Sequence, residues 1–363
     1  MIDLSSSLYL GLRHGCGTAP RWTRLTTGVP AALAVAPEAA VVADGLAGLI
    51  GTKAATLAPS TLHAFWDLFL AMEARQIHVD AGTYPIGQWG AQRARCAGAA
   101  VAGFRHHDPA ALRRAVAAAG GRGPVVLTDG LCPGCGGVAP IGDYLAVVRS
   151  AGGLVVVDDT QALGVLGAPA PGHPYGRGGG GTARWWQVGD ARLIVVASLA
   201  KGFGVPVAVV AGSQVTVRRY EARSETRVHC SPPSNAHLSA AAHALRCNAA
   251  RGDSLRRHLA HLVTRFRTAL ERRGVPLERG LFPIQTMPSG TGADLRAVHR
   301  RLGDLGIQTV LHRQRCGRGP ALSFIFTAAH READIDRTVR ALDMALSGAP
   351  ATPGGTPRLA ATG

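Results

Sequence analysis

Two short segments carry residue types that could do chemistry together. Leu154-Val-Val-Val-Asp-Asp-Thr-Gln161 is an apolar run ending in two carboxylates, and Val195-Val-Ala-Ser-Leu-Ala-Lys-Gly-Phe-Gly204 is a second run ending in a lysine within a turn of small residues. Of the 39 Lys and Arg residues only Lys53 and Lys201 are lysines. Arginine serves a surface equally well but stays protonated and cannot act as an amine nucleophile, so a lysine spared from replacement is a candidate for a task of its own. Lys53, in Gly51-Thr-Lys-Ala-Ala, reads as a solvated turn residue. An amine and a carboxylate on neighbouring strand ends are what pyridoxal phosphate requires. The amine would condense with its aldehyde, and a carboxylate would keep the pyridine nitrogen protonated so that the ring can accept carbanion electrons.

The elements that would position these residues alternate. Apolar runs at 125–127, 154–157, 193–197 and 207–210 read as strands, and helices are predicted from the Asp108-Pro109 cap to 119 and over 141–151. This alternation predicts a mostly parallel sheet covered by helices on both faces, with ligands at the carboxyl ends of the strands. Beyond Pro232-Pro233 the pattern changes to long helices at 235–249 and 253–273, a strand near 322–326 and a helix at 331–346. The division expected is an N-terminal arm 1–35, a large domain 36–245, a small C-terminal domain 246–346 and a disordered tail 347–363, rich in Ala, Pro, Gly and Thr.

Composition narrows the function classes. With 363 residues, 47% hydrophobic and 17% charged, the chain is globular and long enough for about two domains. Glu38 and Asp44 interrupt even the richest early apolar segment, so no run approaches the roughly 18 residues of a membrane span. Asp3 stands where a secretory leader would be basic, which leads us to expect a cytoplasmic protein. Seven cysteines, an odd number thinly spread, form no disulfide framework. The net charge of +16 is scattered and aromatics are only 5%, which argues against nucleic acid and suits an acidic small partner or carrier protein.

The motifs together resemble the fold-type I pyridoxal phosphate enzymes, in particular the α-oxoamine synthase branch typified by 8-amino-7-oxononanoate synthase, over about residues 2–346. Asp3-Leu-Ser-Ser-Ser-Leu-Tyr-Leu-Gly-Leu12 is similar to that family's opening segment, and Thr128-Asp-Gly-Leu-Cys-Pro-Gly-Cys-Gly-Gly-Val-Ala-Pro140 to its Thr-Glu-Gly loop. Asp158-Asp-Thr-Gln-Ala-Leu-Gly-Val-Leu-Gly167 and Ser198-Leu-Ala-Lys-Gly-Phe-Gly204 match its aspartate and lysine motifs. The resemblance implies an α/β transferase: a large domain with a mostly parallel seven-stranded sheet between helices, a smaller C-terminal α/β domain, and a homodimer. It makes Lys201 and Asp158 the cofactor pair, Ser198 a phosphate ligand, and Ser60-Thr61-Leu62 the turn that opens a helix onto the phosphate.

The departures from that pattern bear on the reaction. Register in His78-Val-Asp-Ala-Gly-Thr-Tyr-Pro85 places Tyr84 where the family stacks a histidine on the ring. Gln161 replaces a histidine near the cofactor's phenolic oxygen and cannot titrate, and Pro133 replaces a serine. Ala321 and Ser323 stand where the family has arginines, so either Arg313, Arg315 or Arg318 just upstream supplies a substitute fork for the substrate's acid group, or that group lies elsewhere or is absent. The leading reaction is condensation of an amino acid with an acyl thioester, from an acyl coenzyme A or a carrier protein. The alternatives are an aminotransferase acting on an unusual amine or amino acid, and a non-catalytic binding descendant, against which the retention of Lys201 argues. Cys132-Pro-Gly-Cys135 has the spacing of a redox pair or half a zinc site, without a second pair at ligand spacing. His106-His107 reads as a solvated strand end. Gly176-Arg-Gly-Gly-Gly-Gly181 fits the dinucleotide pattern only formally and reads as a flexible connector.

Overall fold

The computed structural model describes residues 1–15, 17, 24–120, 122–290, 292–313 and 319–347. The tail from 348 onward lies outside them, as do Arg315 and Arg318. The central sheet has seven strands: β1 (Ala54–Ala58), β2 (Gln76–Asp80), β3 (Ala100–Phe104), β4 (Val125–Asp129), β5 (Leu154–Asp158), β6 (Leu193–Ser198) and β7 (Ala208–Gly212), in the order β1-β7-β6-β5-β4-β2-β3. β7 runs antiparallel to both its neighbours and the other pairings are parallel. The inner strands are valine-rich because both faces are covered. Val155 and Val157 enter one core with α1 (Pro37–Ile50), while Val156 enters the opposite core with α2 (Thr61–Ala71) and α3 (Pro85–Cys96). The predicted cap of α4 (Pro109–Ala118) is present, Asp108 accepting from the Ala111 amide at 2.9 Å. On the same face lies α5 (Ile141–Arg149), the helix predicted over 141–151.

A third core joins the N-terminal residues Ile2, Leu4 and Tyr9 to the C-terminal part of the chain. There an antiparallel sheet, β8 (Ile284–Met287), β9 (Val310–Arg313) and β10 (Pro320–Ile325) in the order β8-β10-β9, packs with the end of α6 (Asn235–Glu271), α7 (Leu295–Asp304) and α8 (Glu332–Ser347). The segment Ile2–Asp3 pairs in parallel with Ile307–Gln308. No helix among the described residues is long and apolar enough to cross a membrane.

Two expectations change. The helices predicted at 235–249 and 253–273 are one continuous helix, α6, which runs across the division placed at 245. Gly252 is no breaker there: a Cβ would stand 2.3 Å from Asn248 Oδ1, and its absence leaves room for buried Arg256 to donate to Asn248 Oδ1 at 2.8 Å. The glycine run is not a loose connector either. His173–Arg177 pairs with Ala168–Ala170, and the following glycines turn tightly beneath Asp159 and Arg256.

Candidate active site

The carboxyl ends of β5 and β6 are tied together by the short turns that follow them. The two strands are parallel neighbours, with Asp158 opposite Val196. Asp158, 7% exposed, accepts from the Thr160 amide at 3.0 Å. Thr160 Oγ1 in turn accepts from the Ser198 amide at 3.0 Å, and Ser198 Oγ accepts from the Ala200 amide at 3.2 Å. One run of hydrogen bonds thus leads from Asp158 to the residue preceding Lys201. Lys201 itself is half-buried. Gly202 lets this turn close on the segment after β5, since a Cβ there would stand 2.3 Å from the Leu163 carbonyl oxygen.

Around this pair the remaining predicted residues take distinct places. Gln161 Oε1 accepts the Tyr9 hydroxyl at 2.5 Å, which leaves its NH2 as the group it can offer a ligand. Tyr9 is fully buried, which pushes its phenol well above the usual range and keeps it a donor. Asp129, at the end of β4 opposite Asp158, accepts from the Tyr84 amide at 3.0 Å and so fixes the start of α3. The Tyr84 ring is 48% exposed. Ser60 is the N-cap of α2, but its Oγ engages His63 Nδ1 at 2.8 Å and makes no cap to the helix amides. The first turn, with Thr61 and Leu62, therefore presents amides and the positive helix end to an anion.

Where the family's arginines would stand, Ala321 and Ser323 are buried, and Ser323 Oγ is engaged by Thr286 Oγ1 and His312 Nε2, each at 2.8 Å. Arg313 is exposed at the end of β9. Sequence reasoning missed Tyr9, Thr160 and Asp159, whose roles come from long-range contacts. Asp159 is fully buried and accepts from the Thr182 amide and Oγ1, both at 2.8 Å, and burial pushes its carboxyl up to about 7. His106 and His107 are not a solvated strand end: buried Asp80 accepts from the His106 ring at 2.5 Å and from the His107 amide at 2.9 Å.

Residues 44–342 match the family model for aminotransferases of class I and II. Among curated proteins, the 8-amino-7-oxononanoate synthase of Marinobacter nauticus is 34% identical over 248 residues, 67% of this chain and 60% of that protein. That of Halorhodospira halophila is 31% identical over 264 residues, 71% of this chain and 62% of that protein. The chain thus spans about three fifths of the length of the relatives it matches. Among solved structures, the serine palmitoyltransferase of Sphingomonas wittichii superposes with a TM-score of 0.81 at 18% identity, covering 95% of this chain and 86% of that one. The 8-amino-7-oxononanoate synthase of Francisella tularensis gives 0.74 at 17% identity, covering 96% and 98%. The fold is that of the fold-type I transferases.

Proposed function

The chain belongs to the aminotransferase class I and II family, and from that premise we propose that it is a pyridoxal phosphate-dependent synthase of the α-oxoamine type. It joins an amino acid to an acyl thioester and releases one carbon dioxide and one free thiol per turnover. The observation that carries the reading is the hydrogen-bonded connection between the ends of β5 and β6, which holds Asp158 and the Lys201 turn together.

The donor set fits the cofactor. Lys201 would hold it through its amine, Asp158 would accept from the ring N–H, and Gln161 would donate to the phenolic oxygen. Ser198 and the amides at Ser60, Thr61 and Leu62 would hold the phosphate, and the Tyr84 ring would cover one face. When bound, the cofactor supplies an electron sink for the carbanion formed at the amino acid's α-carbon. Lys201 carries a proton to and from that carbon. Neither Ala321 nor Ser323 can bind a carboxylate ionically, so Arg313 and Arg315 are the candidate partners for the substrate's acid group. The positive chain would attract a coenzyme A or carrier-protein donor. Leu62, Trp66, Tyr84 and Trp89 are large apolar side chains exposed on α2, at the start of α3 and along it, which suits burial against a second copy in a cytoplasmic homodimer.

Gln161 and Pro133, standing in place of a histidine and a serine, favour an aminotransferase as the second reading, one that would use the same Lys201 and Asp158 and need no thioester site. The two are separated by incubating the loaded enzyme with pooled amino acids, with and without acyl coenzyme A. Amino-acid-dependent release of thiol and carbon dioxide is the expected result. Conversion of the cofactor to pyridoxamine phosphate, with no thiol released, would establish the aminotransferase instead.

A further inference from the structure

We propose that His106, His107, Cys132 and Cys135 form a structural zinc site at the carboxyl ends of β2, β3 and β4. Ligand atoms of His106, His107 and Cys135 all lie within 4.8 Å of one another. Cys135 Sγ is 3.5 Å from His106 Nε2. Two ligands bound at roughly 2.3 and 2.0 Å along tetrahedral axes stand about 3.5 Å apart, so this pair already has the separation that zinc imposes. Cys132 is fully buried in the same turn, three residues before Cys135, and would supply the fourth ligand by turning its thiol toward the other three. The set is Cys2His2, with the Cys-x-x-Cys spacing of structural zinc sites.

The backbone is shaped around this cluster. In Cys132-Pro-Gly-Cys-Gly136 the Gly136 amide donates to the Cys132 carbonyl at 2.9 Å, with φ +68° at Gly136, where a Cβ would meet the Arg279 carbonyl oxygen at 2.2 Å. His107 has φ +52°, an uncommon conformation for a residue with a side chain; its ring stacks on that of His106 at 3.7 Å, and binding one ion would turn it out of that stack so that a nitrogen of each ring faces the metal. His107 Nε2 is buried with no hydrogen-bond partner. Asp80 accepts from His106 Nδ1, which turns Nε2 toward the cysteines; a carboxylate behind a histidine is the arrangement that orients histidine ligands on zinc. Two thiolates and two neutral imidazoles would exactly balance the ion's charge, and binding would release the two thiol protons. The site joins the loop after β4 to the end of β3, across β2, and the proposal does not depend on the cofactor reading.

The test uses the full-length, untagged protein purified under reducing conditions from zinc-supplemented medium. Elemental analysis should find one zinc per chain, and X-ray absorption at the zinc edge should show two sulfur and two nitrogen neighbours. The Cys132→Ser/Cys135→Ser double variant should lose the metal, while Cys96→Ser and Lys201→Ala keep it. Should the double variant fail to fold, the wild-type absorption spectrum decides alone. Protein that takes up no zinc, a shell lacking sulfur, a Cys132–Cys135 disulfide without metal, or zinc retained by the double variant would each overturn the proposal.

Discussion

The Tyr9 hydroxyl donates to Gln161 Oε1 at 2.5 Å across 152 residues of chain, and so ties the N-terminal segment to the residue following the aspartate turn. Tyr9→Phe leaves the glutamine oxygen unpaired in a part-buried place, at an expected cost of about 1–3 kcal/mol of stability. It also frees Gln161 to turn away from the place proposed for the cofactor's phenolic oxygen. Thermal unfolding together with a visible titration of pyridoxal phosphate checks both effects: we expect a lower midpoint and weaker cofactor binding. A lower midpoint with unchanged binding would confine Tyr9 to packing.

Asp159 gives stability a pH dependence of definite sign. Burial raises its carboxyl from the ordinary 3.8 to about 7. The folded chain therefore keeps a proton that the unfolded chain has lost, and the stabilisation present below about pH 4 disappears as pH rises through 7. The full change is roughly 4 kcal/mol at most. Urea unfolding of wild type and Asp159→Asn from pH 4 to 8 isolates it: the advantage of wild type over the variant should shrink as pH rises. A constant difference would show that the carboxyl is ionised throughout.

The glycine turn beneath Asp159 predicts a contrast between two substitutions. At Gly181, φ is +84° and a Cβ would stand 1.9 Å from Asp159 Oδ2, whereas at Gly172, φ is +71° with nothing within 4 Å. Gly181→Ala should cost about 3 kcal/mol or more, and Gly172→Ala only the left-handed backbone term of about 1–2 kcal/mol. Equal losses in chemical denaturation would mean that the turn is as loose as its composition suggests.

The part of this structure legible in the sequence was the part built locally. Valine runs ending in Asp158 and before Lys201 read as buried strands because the pattern and the polar ends lie in one segment. Asp108-Pro109 read as a helix start because the cap contacts its own next residues. The break expected between 249 and 253 is absent because the Arg256 to Asn248 hydrogen bond, for which Gly252 leaves room, depends on a buried arginine rather than on propensity. The two histidines and two cysteines were read apart because they follow different strands, β3 and β4, and β2 with Asp80 lies between them in the sheet. Gln161 showed what had been lost as a proton carrier, but not that Tyr9 holds it.

The central claim is that Lys201 is the cofactor's covalent anchor, and the chain offers an unusually clean test because Lys53 is its only other lysine. The protein is loaded with pyridoxal phosphate, reduced with borohydride, digested and analysed by peptide mass spectrometry. The account predicts that the reduced cofactor is found on the peptide containing Lys201. Labelling at Lys53, or at neither lysine, would contradict it.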